Sequence, residues 1–192
     1  MTNRHKIATV SEAVTALMIG DVIAYPTEAS FGLGCDPDNE LAIKRLLTLK
    51  QRSEQKGLII IAADISQITN YVRSDLIDSE MWQRAKDTWP GPVTWLMPAQ
   101  PSISKLLTGD HDTLAVRVTG HTVARQLCEH FGKPIVSTSA NISGAPPACS
   151  VEALNQQFNT GLSCIVGGDI NRQASSSEIR DLVSNEVIRK SR

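Results

Sequence analysis

Two short apolar runs, VTWLM at residues 93–97 and LAVRV at 114–118, decide how this chain folds. Each has the length and the β-branched or aromatic content of a buried strand. They read as consecutive strands without a helix between them, which favours a mixed sheet over a purely parallel one. Outward from this pair, helical and extended patterns interleave. SEAVTALMIG (11–20) carries a helical stripe at Val14, Leu17 and Met18, and Gly20 is its stop. DVIAYP (21–26) is a short strand ended by Pro26, NELAIKRLLTLK (39–50) is a helix finishing on Lys50, and LIIIAA (58–63) is a continuous apolar strand. DLIDSEMWQRAKDTW (75–89) is a helix broken by PGP at 90–92, and HTVARQLCEHFG (121–132) is a helix stopped by Gly132. PIVSTSAN (134–141) runs a strand into a polar loop, and Ser150 is the N-cap of SVEALNQQF (150–158). SCIVGG, IRDLV and EVIRKS are further short strands. The expectation is one α/β domain over 1–192, a twisted mixed sheet flanked by helices.

At 192 residues, 41% hydrophobic and 20% charged, the chain is long enough for one sizeable core and short for two. A net charge of −1 excludes a polycation, so any nucleic-acid contact must come from a local patch. Aromatic residues at 4% argue against stacking platforms for single strands. Cys35, Cys128, Cys149 and Cys164 form no C-x-x-C pair and have no histidine at zinc spacing, which reads as free thiols in a reducing compartment. The N-terminal MTNRHKIATV is polar, and no run approaches the ~18 apolar residues of a membrane span, so a cytoplasmic protein is expected.

Four stretches interrupt this pattern with polar or cationic residues. KQRSEQKG (50–57) sets three cations before a greasy strand. Lys50 and Arg52 diverge on a helix but point the same way on an extended segment, so the helix must end near Lys50 for both to face one ligand. The plainer alternative is a solvated helix end whose cations complement the dipole. YPTEASFGLGCD (25–36) places Thr27, Glu28 and Ser30 before Gly32 and Gly34, either a decorated turn or a loop built for close approach. Arg117 sits in mid-strand and needs a partner, a cleft or a wet edge. In PIVSTSANISG, Ser137, Thr138, Ser139, Asn141 and Ser143 gather at a strand end, suiting a phosphate or carboxylate unless they only bond their own backbone. Neither G-x-G-x-x-G nor G-x-x-x-x-G-K-[ST] occurs, and His5, His111, His121 and His130 have neither metal spacing nor a G-x-S-x-G companion. An open cationic, hydroxyl-lined cleft that positions anions is what remains.

Taken together these segments resemble the YrdC-like family of threonylcarbamoyl-AMP synthases. K-x-R at Lys50 and Arg52 and S-x-N at Ser139 and Asn141 match it, as do YPTE (25–28), WPGPVT (89–94), AVRV (115–118) and STSANISG (137–144), in the family's order. The length is similar to that of the short, single-domain form. The resemblance implies synthesis of L-threonylcarbamoyladenylate from L-threonine, bicarbonate and ATP with release of pyrophosphate. The product serves N6-threonylcarbamoyladenosine formation beside the anticodon of tRNA, with separate partner proteins making the transfer. It implies Lys50 and Arg52 as catalytic and nucleotide-binding residues, with Ser139, Asn141, Ser150, Ser177 and Arg189 also on the nucleotide side. Thr27, Arg117 and Thr138 would bind threonine, and Mg2+ would come with the triphosphate rather than occupy a protein site. A monomer is expected, with weak tRNA contact through Lys44, Arg45, Lys50, Arg52 and Lys56.

The chain departs from the commoner family pattern at Ser53, Gly57-Leu58 and Thr119, and has Ala62 or Ala63 where a histidine is expected. Two other readings stand beside the synthase. One is a tRNA- or rRNA-binding factor that performs no chemistry and uses the same cleft. The other is a carbamoyl-transfer enzyme of hydrogenase maturation, which needs zinc-binding cysteine clusters that this sequence lacks.

Overall fold

A computed structural model describes residues 5–170 and 176–191. The first four residues of the polar N-terminal stretch lie outside it. Ten described strands form one sheet: β1 (Ile7–Ala8), β2 (Ile23–Pro26), β3 (Phe31–Gly34), β4 (Ile59–Ala62), β5 (Val93–Pro98), β6 (Thr113–Val118), β7 (Ile135–Ser139), β8 (Cys164–Val166), β9 (Glu178–Asp181) and β10 (Val187–Arg189). Their order is β1-β8-β2-β3-β7-β4-β6-β5-β9-β10. The β4–β6 and β5–β9 pairs are parallel, whereas β2–β3, β3–β7, β4–β7 and β5–β6 are antiparallel. The sheet is mixed, as the paired runs at 93–97 and 114–118 require, with Trp95 opposite Val116.

The helices are α1 (Val10–Met18), α2 (Glu40–Lys50), α3 (Ser79–Lys86), α4 (Lys105–Thr108), α5 (Thr122–Phe131) and α6 (Val151–Gln157). Period-two alternation splits the sheet's side chains between two cores. Leu33, Ile60, Trp95, Met97, Leu114, Val116 and Val136 pack with Leu46, Leu47, Ala85, Leu107 and Leu154 of α2, α3, α4 and α6. Ile23, Tyr25, Ile61 and Ile135 pack on the other face with Leu17 of α1 and Leu127 of α5. On β6 the alternation leaves Thr113, Ala115 and Arg117 half-buried between the buried Leu114, Val116 and Val118.

Three details differ from the sequence reading. YPTEASFGLGCD is largely a hairpin: a turn tied by Thr27 N–H and Thr27 Oγ1, both donating to the Ser30 carbonyl at 3.0 and 2.7 Å, leads into β3. Glycine disguised that strand, yet glycine is what it needs. A Cβ on Gly34 would come 2.8 Å from the Tyr25 ring and 2.9 Å from the Val136 carbonyl. The one-turn α4, capped by Ser104, lies between β5 and β6. Finally, α3 begins at Ser79, where the Asp78 carboxylate accepts the Met81 N–H at 2.8 Å, several residues after the expected start.

Candidate functional site

Helix α2 ends at Lys50 because Gln51 adopts left-handed backbone (φ 50°) and turns the chain. This is the geometry two convergent cations need. Lys50 is not a solvated helix end: it is 2% exposed. Its Nζ donates to the Ser139 carbonyl and, at 2.9 Å, to that of Asn141, while the Ser143 N–H donates to the Lys50 carbonyl at 2.8 Å. The lysine thus pins the end of α2 to the loop after β7. Burial first, and the charge of Arg52 second, bring its pKa down to about 8.

Arg52 Nη2 donates to the carbonyls of Gly57 (3.0 Å) and Lys56 (3.5 Å). Its Nε is buried and has no hydrogen-bond partner among the described residues. Burial and then the nearby Arg189 lower its pKa. Arg189 Nη2 donates to Ser177, to the carbonyl at 2.9 Å and the hydroxyl at 3.5 Å, and Thr94 Oγ1 donates to Ser177 Oγ at 3.0 Å. The sheet edge β5–β9–β10 therefore brings a third cation, Arg189, within electrostatic reach of Arg52. Ser139 Oγ donates to Asn141 Oδ1 at 2.6 Å, and Asn141 Nδ2 donates to the carbonyls of Ile142 and Ala145 at 2.9 Å each. Ser150 caps α6, its Oγ accepting the Ala153 N–H at 3.2 Å, and makes no bond to this cluster.

Gly57 sets the floor under Arg52. Its backbone (φ 59°, ψ 177°) lies where side chains are strained, and a Cβ would meet the Thr108 and Leu107 carbonyls at 2.8 and 3.0 Å. Gly57→Ala is expected to cost about 1–3 kcal/mol and to displace the carbonyl that holds Arg52. Urea unfolding measures this; an unchanged midpoint would mean that the turn relaxes without cost.

A second cluster forms around Arg117. Its Nε donates to the Gly91 carbonyl at 2.7 Å, and Nη2 forms an ion pair with Glu28 Oε1 on the β2–β3 turn. Thr119 Oγ1 reaches the same Glu28 oxygen at 3.5 Å and accepts the His121 N–H at 3.1 Å. The mid-strand arginine thus has its partner. Thr27 is on the same turn, its hydroxyl spent on Ser30. A cavity of about 780 Å³ opens beside the pair, lined by Glu28, Gly91, Val93, Gly120, His121 and Ser176 among others.

Thr138 lies on the opposite face of the sheet from Arg117. The sequence reading groups it with Thr27 and Arg117, but it pairs with Leu33, which belongs to the core on the other face. Ser137 shares Arg117's face: it pairs with Ile59 and accepts a 2.7 Å bond from the Tyr25 hydroxyl, and Ile59 and Tyr25 both pack in the second core with Ile61, the partner of Arg117. Glu28 and Thr119 contact the Arg117 cluster and Ser137 shares its face, though the sequence reading assigns none of the three to the threonine side. Glu28 stood in the quoted YPTE, and period two in IVSTS separates Ser137 from Thr138, but only the register says which face is which.

Chemically, the first cluster sets two partly buried cations side by side, and Lys50 keeps a third N–H beyond its two carbonyls. Burial raises the thiols of Cys35, Cys128 (to about 12) and Cys164 (to about 11) well above the nucleophilic range. Among the described residues no group of three or more His, Cys, Asp or Glu side chains could hold a metal ion, and no helix is long and apolar enough to cross a membrane.

Comparison with known proteins gives the same family from sequence and from structure. The Sua5/YciO/YrdC family model, described as "Telomere recombination", matches residues 15–191. A Vibrio vulnificus protein named threonylcarbamoyl-AMP synthase is 48% identical over 183 residues, covering 95% of this chain and 98% of that protein. A variant of P. abyssi Sua5 superposes with a TM-score of 0.87 at 33% identity, over 95% of this chain and 56% of that one. P. abyssi Sua5 complexed with L-threonine superposes with a TM-score of 0.83 at 34% identity, over 90% of this chain and 50% of that one. The chain thus spans about half the length of the Sua5 chains.

Proposed function

Because the chain belongs to the Sua5/YciO/YrdC family, we propose that it makes L-threonylcarbamoyladenylate from L-threonine, bicarbonate and ATP, releasing pyrophosphate. The product would feed N6-threonylcarbamoyladenosine formation beside the anticodon of tRNA, partner proteins making the transfer in the cytoplasm. The observation that carries this reading is the cation pair at the end of α2: Lys50 held at the carbonyls of Ser139 and Asn141, and Arg52 close enough to depress it, with an Nε that has no partner among the described residues. Lys50 and Arg52 are partly buried, Arg52 depresses Lys50, and such buried cations are costly unless an anion neutralises them. A triphosphate meets that need.

The chemistry follows without a covalent enzyme intermediate. The threonine amine and bicarbonate form a carbamate, and a carbamate oxygen attacks the α-phosphate in line with the departing pyrophosphate. Bicarbonate, the carbamate, ATP and pyrophosphate are all anionic, so catalysis is positioning and charge stabilisation. Lys50 and Arg52 hold triphosphate and carbamate oxygens, the unpartnered Arg52 Nε supplying an unused donor. Ser139, Asn141, Ser150, Ser177 and Arg189 serve the nucleotide, which brings its own Mg2+ as part of the substrate. Arg117 takes the threonine carboxylate through the Nη1 side left open by Gly91 and Glu28, with Thr27 and Ser137 nearby. The protein acts as a monomer and touches tRNA weakly through Lys44, Arg45 and Lys56.

The test is pyrophosphate release from ATP by the purified protein, with and without L-threonine and bicarbonate. Release that requires both is expected. A folded sample that stays silent, and instead binds tRNA with an affinity that falls steeply with salt, would replace the synthase with an RNA-binding factor.

A further inference from the structure

Glu28 lines the 780 Å³ cavity, and the Arg117 guanidinium is ion-paired to it and bonded to the carbonyl of Gly91, another lining residue. An α-amino acid carries the complementary pair, a carboxylate and an ammonium on one carbon. Resting on the synthase reading above, we propose that Glu28 receives the amino group of the amino-acid substrate and takes its proton. Glu28 Oε1 is engaged by Arg117 and Thr119, and Oε2 accepts no hydrogen bond among the described residues. The free oxygen belongs to a side chain that itself lines the cavity. Asp169 and Glu178 line it as well, but Glu178 is paired with Arg180, and neither is bonded to Arg117. Only Glu28 has its carboxylate fixed at the group that would take the substrate carboxylate. Thr119, anchored by the His121 N–H, braces it from behind.

The role is catalytic because an ammonium has no lone pair with which to attack. The ammonium gives one proton to the Glu28 carboxylate, leaving a neutral amine. The amine nitrogen then bonds to the bicarbonate carbon. The C–OH bond breaks, and the hydroxyl leaves as water with the second nitrogen proton, giving a carbamate anion. The proton on Glu28 passes to solvent, which restores the carboxylate.

The experiment compares two ligands by calorimetry on the full chain: L-threonine, and 2,3-dihydroxybutanoate, which has a hydroxyl in place of the ammonium. Wild type is expected to prefer threonine by about tenfold or more, a charged hydrogen bond's worth. In Glu28→Gln the two ligands should bind within about twofold of each other, with nucleotide binding unchanged and turnover strongly reduced, and Glu28→Asp should restore part of the preference. Glu28→Gln that still prefers threonine as wild type does would overturn the proposal. So would equal loss of both ligands, since Glu28 would then serve only to hold Arg117. A folded wild type that binds no threonine and releases no pyrophosphate would sink the synthase reading itself, a result distinct from either.

Discussion

Replacing Lys50 by alanine is expected to remove threonine-dependent pyrophosphate release, by on the order of 10²–10³-fold or more, and also to weaken the fold. The first effect follows if, as proposed, Lys50 donates to the transferring phosphate. The second follows from burial. The Asn141 carbonyl would lose its donor and the Ser139 carbonyl one of its two, the Asn141 N–H remaining at 3.0 Å, which costs about 1–3 kcal/mol. Relief of a buried charge offsets part of this, so the lower end of that range is expected. Lys50→Arg separates the effects by keeping charge and changing shape. A sign follows from the lowered pKa. The unfolded chain holds the lysine proton up to its ordinary value, whereas the folded chain gives it up from about pH 8. Wild-type stability should therefore gain from this residue as pH rises between those values, and Lys50→Ala should lack that gain. ATP prefers the protonated amine, so affinity should be full below about pH 8 and fall by up to about tenfold by pH 9. Calorimetry at the two pH values measures it. An ATP affinity with no pH dependence in this range would remove Lys50 from the nucleotide site.

Arg52→Ala should be as damaging to turnover and almost harmless to the fold. Its Nε has no acceptor among the described residues, its other bonds go to carbonyls of the adjacent turn, and Arg189 repels it. Removing such a group should change stability by less than about 0.5 kcal/mol, and a small gain would be no surprise. The contrast between neighbours is the discriminating result: one cation carries structure and chemistry together, the other chemistry alone. Thermal unfolding of both variants beside their turnover would show it. Arg52→Ala that unfolds well below wild type, with turnover lost only in proportion to the unfolded fraction, would make Arg52 structural.

Much of this was legible in the chain. Apolar runs with period two and 3.6 specify the strands and helices, because burying one face is the main driving force and its periodicity is local. Gly20 and Gly132 mark helix ends for the same local reason. The K-x-R and S-x-N residues stood out because cations at a helix end and polar groups at a strand end interrupt an otherwise regular apolar pattern. Three things needed the tertiary structure. β3 was hidden because its glycines make room for the Tyr25 ring across the hairpin and, at Gly34, for the carbonyl of Val136, a residue distant in sequence. Whether Lys50 was solvated or buried depended on where the loop after β7 comes to rest. Ser137 rather than Thr138 belongs with Arg117, and Glu28 is its partner, because register and turn reach are set by pairing across the sheet. Sequence determines which residues can act; only the packed sheet decides which of them face one another, since facing is a relation between segments and no single segment carries it.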